Sequence, residues 1–118
     1  MARYIRSLTV AVPVSCLHQQ LADTLQSCDF QILYTTEGYL IARETPGNIP
    51  FAKLVTVEVL IDSTRATDAK THLNFVIKNE ELPLQANNHC FQMYQRVNQA
   101  LADNENWQLV DITELETS

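Results

Sequence analysis

The chain has 118 residues, 46% of them hydrophobic and 19% charged, which is typical of one folded domain and excludes a disordered or low-complexity protein. The formal net charge is −6, and all of it falls in the last third, where seven acidic residues face Arg96 alone. Nucleic-acid binding needs clustered basic side chains, so we expect no nucleic-acid partner. The three cysteines form no CxxC pair, and no apolar run reaches the roughly eighteen residues of a membrane span. Both observations favour a cytoplasmic protein without disulfides.

The first predicted strand covers residues 3–12, in which apolar and polar side chains alternate. Pro13 ends this strand, and Ser15 is a candidate N-cap for the helix that follows. Apolar residues then recur at steps of three and four, which predicts an amphipathic helix. Its buried stripe is formed by Val14, Leu17, Leu21, Leu25 and Cys28.

Residues 30–36 and 39–44 form the next predicted pair, a hairpin about Glu37-Gly38. A two-residue loop would place Thr36 opposite Tyr39, Tyr34 opposite Ile41, and Ile32 opposite Arg43. That register predicts one apolar face, consisting of Phe30, Ile32, Tyr34, Tyr39 and Ile41.

The longest predicted strand covers residues 51–62, with its odd positions inward from Phe51 to Ile61. A polar turn over 63–68 leads to a strand over 69–78 and then to a loop over 79–86. Asn87 or Asn88 caps a second helix that ends near Asp103. The apolar stripe of this helix contains Cys90, Met93, Tyr94, Val97 and Leu101. Residues 107–112 form either a last strand or an extended tail, so we predict one domain over 1–113 and a frayed end over 114–118.

The order β-α-β-β-β-β-α, with or without a final strand, predicts an α+β fold: a curved antiparallel sheet with two helices on one face. This connectivity resembles a single repeat of the TATA-binding-protein fold, and such a resemblance implies no function. The stretches FAKLVTVEVLID at 51–62 and KNEELPLQ at 78–85 resemble small uncharacterised proteins of cyanobacteria. That second resemblance implies a cytoplasmic or thylakoid-associated setting and carries no catalytic motif.

Few residues in the sequence suggest catalysis. Cys16 lies in the first turn of the first helix, where the helix dipole favours a thiolate, so it is either a reactive thiol or an inert exposed one. Cys90 lies on the apolar stripe and points about 100° away from its neighbour His89, which favours a core position. His18, His72 and His89 have no metal-ligand spacing, so we expect no metal. With two glycines, the chain has no phosphate-binding loop, and we expect no cofactor.

The sheet face away from the helices is the most informative surface, because alternation gives it small hydroxyl residues and aliphatic residues rather than many charges. We therefore predict a non-catalytic interaction or assembly module, most simply a homodimer. A docking surface for another protein and the wall of a ligand cleft follow in that order, and a plain solvent-facing sheet stays open as the alternative to all three. The predicted interface residues are Leu33, Leu54, Thr56, Leu60, His72, Asn74 and Val76. The alternative function is a small-molecule-binding protein or enzyme with a pocket between sheet and helices, using Cys16, His18 or His72.

Overall fold

The computed structural model describes residues 2–47, 49–62, 70–80 and 88–103, and the backbone of 109–117. Six strands form one antiparallel sheet in the order β2-β3-β4-β5-β1-β6, and two helices complete the fold. The predicted α+β class and element order are therefore confirmed. In chain order, the elements are β1 (Ala2–Val10), α1 (Val14–Ser27), β2 (Phe30–Thr36), β3 (Tyr39–Glu44), a 3-10 turn (Phe51–Lys53), β4 (Thr56–Asp62), β5 (Thr71–Asn79), α2 (His89–Asp103) and β6 (Leu109–Thr117).

The last strand makes β1 an interior strand of the sheet. β1 pairs with β5 on one side and with β6 on the other, and Arg3 lies opposite Thr117. The alternative of a final strand is thus the correct one, and this strand extends beyond the predicted boundary at residue 113. Trp107, the polar turn over 63–68, residues 81–86 of the predicted loop and Asn87 lie outside the described residues.

Both helices cover the same face of the sheet. Leu17, Leu21 and Leu25 of α1 are fully buried, as the apolar stripe predicts. The stripe predicted for α2 is also buried, and Tyr4 of β1 stacks on Tyr94 at 5.2 Å between ring centres. One continuous core therefore includes both helices and the inward side chains of the sheet.

The two helices begin differently. α1 begins at Val14, directly after Pro13, so the prediction that Ser15 caps it is wrong. Pro13 has extended backbone angles that suit the position before a helix, although proline has no side-chain acceptor. α2 has the predicted Asn88 cap, whose Oδ1 accepts a hydrogen bond from the Phe91 N–H at 2.9 Å.

The hairpin of β2 and β3 has the predicted turn but only part of the predicted inner face: Phe30 is buried and Ile32 packs against the core, whereas Tyr34 is exposed. Thr36 pairs with Tyr39 and Tyr34 with Ile41, as expected. A bulge between Ile32 and Tyr34 then shifts the register, so that Ile32 lies opposite Ala42 rather than Arg43.

The buried apolar residues of β3 are Leu40 and Ala42, whereas the alternation predicted from Tyr39 and Ile41 placed both on the helix-free side. They lie opposite Val59 and Val57 of β4, whose side chains face the core. Cross-strand partners share a face, so pairing with β4 decides which side of β3 is buried. Tyr34, predicted to face the core, is 56% exposed.

The strand predicted over 51–62 begins later, at Thr56. Phe51–Lys53 instead form a 3-10 turn that follows Pro50, and the Phe51 side chain is 76% exposed rather than inward. From Val55 onward the predicted alternation is confirmed, because Val55, Val57 and Val59 are fully buried. The inward residues predicted for β5, Leu73, Phe75 and Ile77, are likewise buried.

Candidate functional site: the helix-free sheet face

The register of the sheet defines the helix-free face in rows of cross-strand neighbours. The central row runs through Tyr34, Ile41, Glu58, Val76 and Ile5. The second row runs through Thr36, Tyr39, Leu60, Asn74 and Ser7. Toward one end of the sheet lies a third row with Gln31, Arg43, Thr56, Lys78 and Arg3, and at the other end lie Asp62, His72 and Thr9.

Five of the seven predicted interface residues lie on this face: Thr56, Leu60, His72, Asn74 and Val76. Leu54 does not, because it follows the 3-10 turn and is 8% exposed at the end of the sheet. Leu33 lies at the β2 bulge, where the register assigns it no cross-strand partner, and its side chain is 53% exposed.

Polar side chains on the helix-free face are bonded to one another across strands. The Ser7 hydroxyl donates to Asn74 Oδ1, and Thr9 Oγ1 lies 2.6 Å from His72 Nδ1. Lys78 Nζ lies 2.8 Å from a carboxylate oxygen of Glu58. Each of these groups already has a protein partner, so each pair keeps one internal bond when another surface covers it, which lowers the cost of removing the pair from water.

Apolar side chains on the same face remain accessible to solvent. Leu60 is 45% exposed at the centre of β4, and its neighbour Tyr39 is half-buried. Ile41 and Ile5 are also half-buried in the adjacent row. The combination of accessible apolar side chains with satisfied polar ones suits a surface that is covered by another surface.

A small pocket, which we call the end pocket, opens where the third row meets the 3-10 turn. Its volume is about 100 Å³. It is lined by Arg43, Phe51, Leu54, Thr56, Lys78, Asn79 and Glu80. The alternative prediction placed a pocket between sheet and helices and stays a prediction; among the described residues of that layer, Leu17, Phe75 and Leu101 are buried in the core.

The residues proposed for chemistry are not brought together. His72 belongs to the helix-free face, whereas Cys16 and His18 belong to α1 on the other side of the sheet. The Cys16 thiol is exposed, and its sulfur lies 3.9 Å from the Ser15 hydroxyl. His18 Nε2 lies 2.7 Å from the Thr36 carbonyl oxygen, which ties α1 to the β2–β3 turn. Cys90 is fully buried, as its position on the stripe predicts.

One pair was missed by the sequence analysis. His89 Nε2 lies 2.8 Å from Oε1 of Glu44, and that oxygen also accepts a hydrogen bond from the Val55 N–H at 3.1 Å. Glu44 is 7% exposed. The pair joins the start of α2 to the end of β3, residues 45 positions apart, so no local spacing could have revealed it. Its carboxylate is occupied by these contacts, which indicates a structural tie rather than a reactive site.

Within the described ranges, no group of three or more His, Cys, Asp or Glu side chains is arranged to hold a metal ion. The described helices are also too short or too polar to cross a bilayer. No protein-family model matches the chain, and no curated protein matches it. The two resemblances drawn from connectivity and from the stretches at 51–62 and 78–85 therefore stay predictions.

Proposed function

We propose that the protein is a non-catalytic assembly module that forms a homodimer through its helix-free face. One observation carries the proposal: accessible apolar side chains such as Leu60 lie among polar groups that are already bonded in cross-strand pairs. Burying Leu60 stabilises a complex, while burying Ser7–Asn74 and Thr9–His72 costs little because each pair keeps its hydrogen bond.

The charge distribution supports a second copy of the chain as the occupant of this face. The protein carries a net charge of −6, so two copies repel each other at most orientations. The helix-free face differs from the rest of the surface, because it carries charges of both signs. Its basic residues are Arg3, Arg43 and Lys78, and its acidic residues are Glu58 and Asp62. Consider a two-fold axis that lies between the two sheets and runs perpendicular to the strands. It would bring the third row of one copy, which contains Arg3, Arg43 and Lys78, over the Asp62 end of the other copy.

The size of the face is adequate for a dimer. Strands spaced about 4.8 Å apart, with a rise of about 3.3 Å per residue, give six strands of this length an area of roughly 600–700 Å². Stable interfaces bury about 600–1,000 Å² on each partner, so this face is at the lower end of that range. Sheets that pack face to face lie about 10 Å apart with their strands rotated by about 30°. Leu60 lies on the third of six strands, one row from the central row, so its two copies would lie near the centre of such a packing.

The test is the substitution Leu60→Glu, which places a charge at the centre of the proposed interface. A charge buried without a partner costs several kcal/mol, so we expect the dimer dissociation constant to rise by at least about a hundredfold. The matched control is Gln26→Glu, which adds the same charge on the exposed side of α1, away from the helix-free face, and should stay dimeric. Analytical ultracentrifugation reports mass, and circular dichroism confirms that each variant is folded.

Two results would contradict the homodimer. A native protein that is monomeric at high micromolar concentration removes the second copy as the occupant. A folded Leu60→Glu variant that dimerises like the native chain places any interface elsewhere.

The proposal also places this assembly in the cytoplasm, which is supported by three free thiols, one of them exposed.

A further inference from the structure

The end pocket combines two cations, one hydroxyl and an exposed aromatic ring. Arg43, Thr56 and Lys78 are successive cross-strand neighbours on β3, β4 and β5. Adjacent partners on one face have Cβ atoms about 5 Å apart, so the long Arg43 and Lys78 side chains flank Thr56 and reach the same space. Phe51, which is 76% exposed, stands at the edge of this space.

Arg43 has donors to offer to a ligand. Its guanidinium carbon lies 5.9 Å from the centre of the Phe51 ring, and it forms no ion pair with any carboxylate in the described residues. A guanidinium presents five N–H donors in a planar fork that matches a carboxylate or a phosphate. Lys78 is paired with Glu58, but its side chain remains 34% exposed. Its ammonium group is therefore accessible to a ligand in the pocket.

Backbone and amide contacts hold the wall of the pocket in place. The Lys53 N–H donates to the Pro50 carbonyl at 2.9 Å and so closes the 3-10 turn. Asn79, which is 4% exposed, donates from Nδ2 to the Lys53 carbonyl at 3.2 Å. The Glu80 N–H donates to the Ala52 carbonyl, also at 3.2 Å. The turn is therefore fastened to the end of β5, and the pocket is formed before any ligand arrives.

We propose that the end pocket binds a small aromatic carboxylate, with Arg43 and Thr56 holding the carboxylate and Phe51 packing against the ring. The volume of about 100 Å³ is below that of sites for drug-sized molecules, so it holds one charged group and part of a ring. Glu58 pairs with Lys78 and Glu80 also lines the pocket, so these carboxylates repel a phosphate dianion more than a ligand with a single negative charge. Leu54 and Phe51 provide an apolar wall for the ring.

Benzoate is the probe that tests this inference. We expect its titration into the isotope-labelled protein to produce saturable NMR shifts at Thr56 and Lys78, with millimolar affinity because the ligand is small. Arg43→Gln should weaken binding at least about tenfold, since it removes a charge-assisted hydrogen bond. The matched control is Arg96→Gln, which removes the same charge from an exposed arginine of α2 that pairs with Asp29.

Other probes test the class of ligand. Cyclohexanecarboxylate keeps the carboxylate but lacks the aromatic ring, and we expect it to bind more weakly than benzoate. Inorganic phosphate should be weaker again. Absence of benzoate binding, tighter binding of phosphate, or an equal loss in Arg43→Gln and Arg96→Gln would overturn the inference. Titrating benzoate into the Leu60→Glu variant separates the two proposals, because Leu60 does not line the end pocket and the monomeric variant keeps every residue that does.

Discussion

Glu44 shows how one buried acid can organise the end of a sheet. Its backbone N–H donates to the Val55 carbonyl at 2.8 Å, while its side chain accepts hydrogen bonds from the Val55 N–H and from His89. A single residue thus joins β3, the segment before β4, and the first turn of α2. Such a carboxylate has little exposure to water, so its contribution depends on keeping all of its partners.

We expect Glu44→Ala to lower the free energy of unfolding by about 1–3 kcal/mol, because the Val55 N–H loses its acceptor in a fully buried position. Glu44→Gln keeps an acceptor oxygen and should lose less. Glu37→Ala, at the exposed hairpin turn, should change stability by less than about 0.5 kcal/mol. Urea denaturation followed by circular dichroism measures all three. Equal losses at positions 44 and 37 would show that the Glu44 contacts contribute nothing.

The three thiols should differ in reactivity. Cys16 is exposed, whereas Cys28 and Cys90 are buried, and burial raises the pKa of Cys28 above its ordinary value of 9.0. In the native protein we expect one thiol to react rapidly with a disulfide reagent, and Cys16→Ser should abolish that phase. All three should react once the protein is denatured. Two or more rapid thiols in the native state would contradict the described burial.

The raised pKa of Cys28 also predicts a dependence of stability on pH. The unfolded thiol loses its proton at a lower pH than the folded one does. Stability from this group is therefore complete below pH 9 and declines as the pH rises toward the folded pKa. Cys28→Ala should remove this part of the decline, and denaturation midpoints measured above pH 9 report it. An unchanged alkaline profile in the variant would rule out Cys28 as a source.

At the level of the element, α1 is held to the sheet by one stripe. Leu21 lies between Leu17 and Leu25, all of them fully buried. We expect Leu21→Ala to create a cavity that costs about 2–5 kcal/mol. Gln26→Ala, on the exposed side of the helix, should cost less than about 0.5 kcal/mol. Gln20 is a poorer control, because it is half-buried and its Oε1 is shielded from solvent. Chemical denaturation compares the variants, and similar losses at positions 21 and 26 would mean that the stripe faces elsewhere.

The periodicity of apolar residues predicted the buried side of an element correctly where its two faces differ in polarity. It predicted the wrong side where both faces are apolar. In α1, α2 and β5, polar and apolar positions separate clearly, so their buried sides were predicted correctly. In β3, Leu40 and Ala42 alternate with Tyr39 and Ile41, and either set could face the core. Leu40 and Ala42 face the core because they pair with Val59 and Val57, whose side chains are buried. The alternation of residues 51–62 also predicted that Phe51 belongs to the strand. Phe51 instead lies in the 3-10 turn that follows Pro50.

At the level of the whole molecule, predictions of the candidate sites succeeded where they followed strand alternation. The helix-free face was predicted because the alternation assigned to β4 and β5 matches the side on which their residues lie. Five of the seven predicted interface residues lie on this face. The end pocket was not predicted, because it requires Phe51 to leave the strand and Arg43 to lie beside Thr56. The Glu44–His89 pair depends on a contact between β3 and α2, which local sequence does not encode.

The pairing of β1 with β6 has a consequence for how the chain can be rewired. Arg3 and Thr117 are cross-strand partners, so the beginning of β1 and the end of β6 lie side by side at the same end of the sheet. A short peptide could join these two points and make the backbone circular without disturbing any strand. Linking points about 100 residues apart lowers the entropy of the unfolded chain and so stabilises the fold by on the order of 4–5 kcal/mol at room temperature. The same geometry means that anything fused before residue 3 or after residue 117 emerges at the end of the sheet that carries Arg43, Thr56 and Lys78.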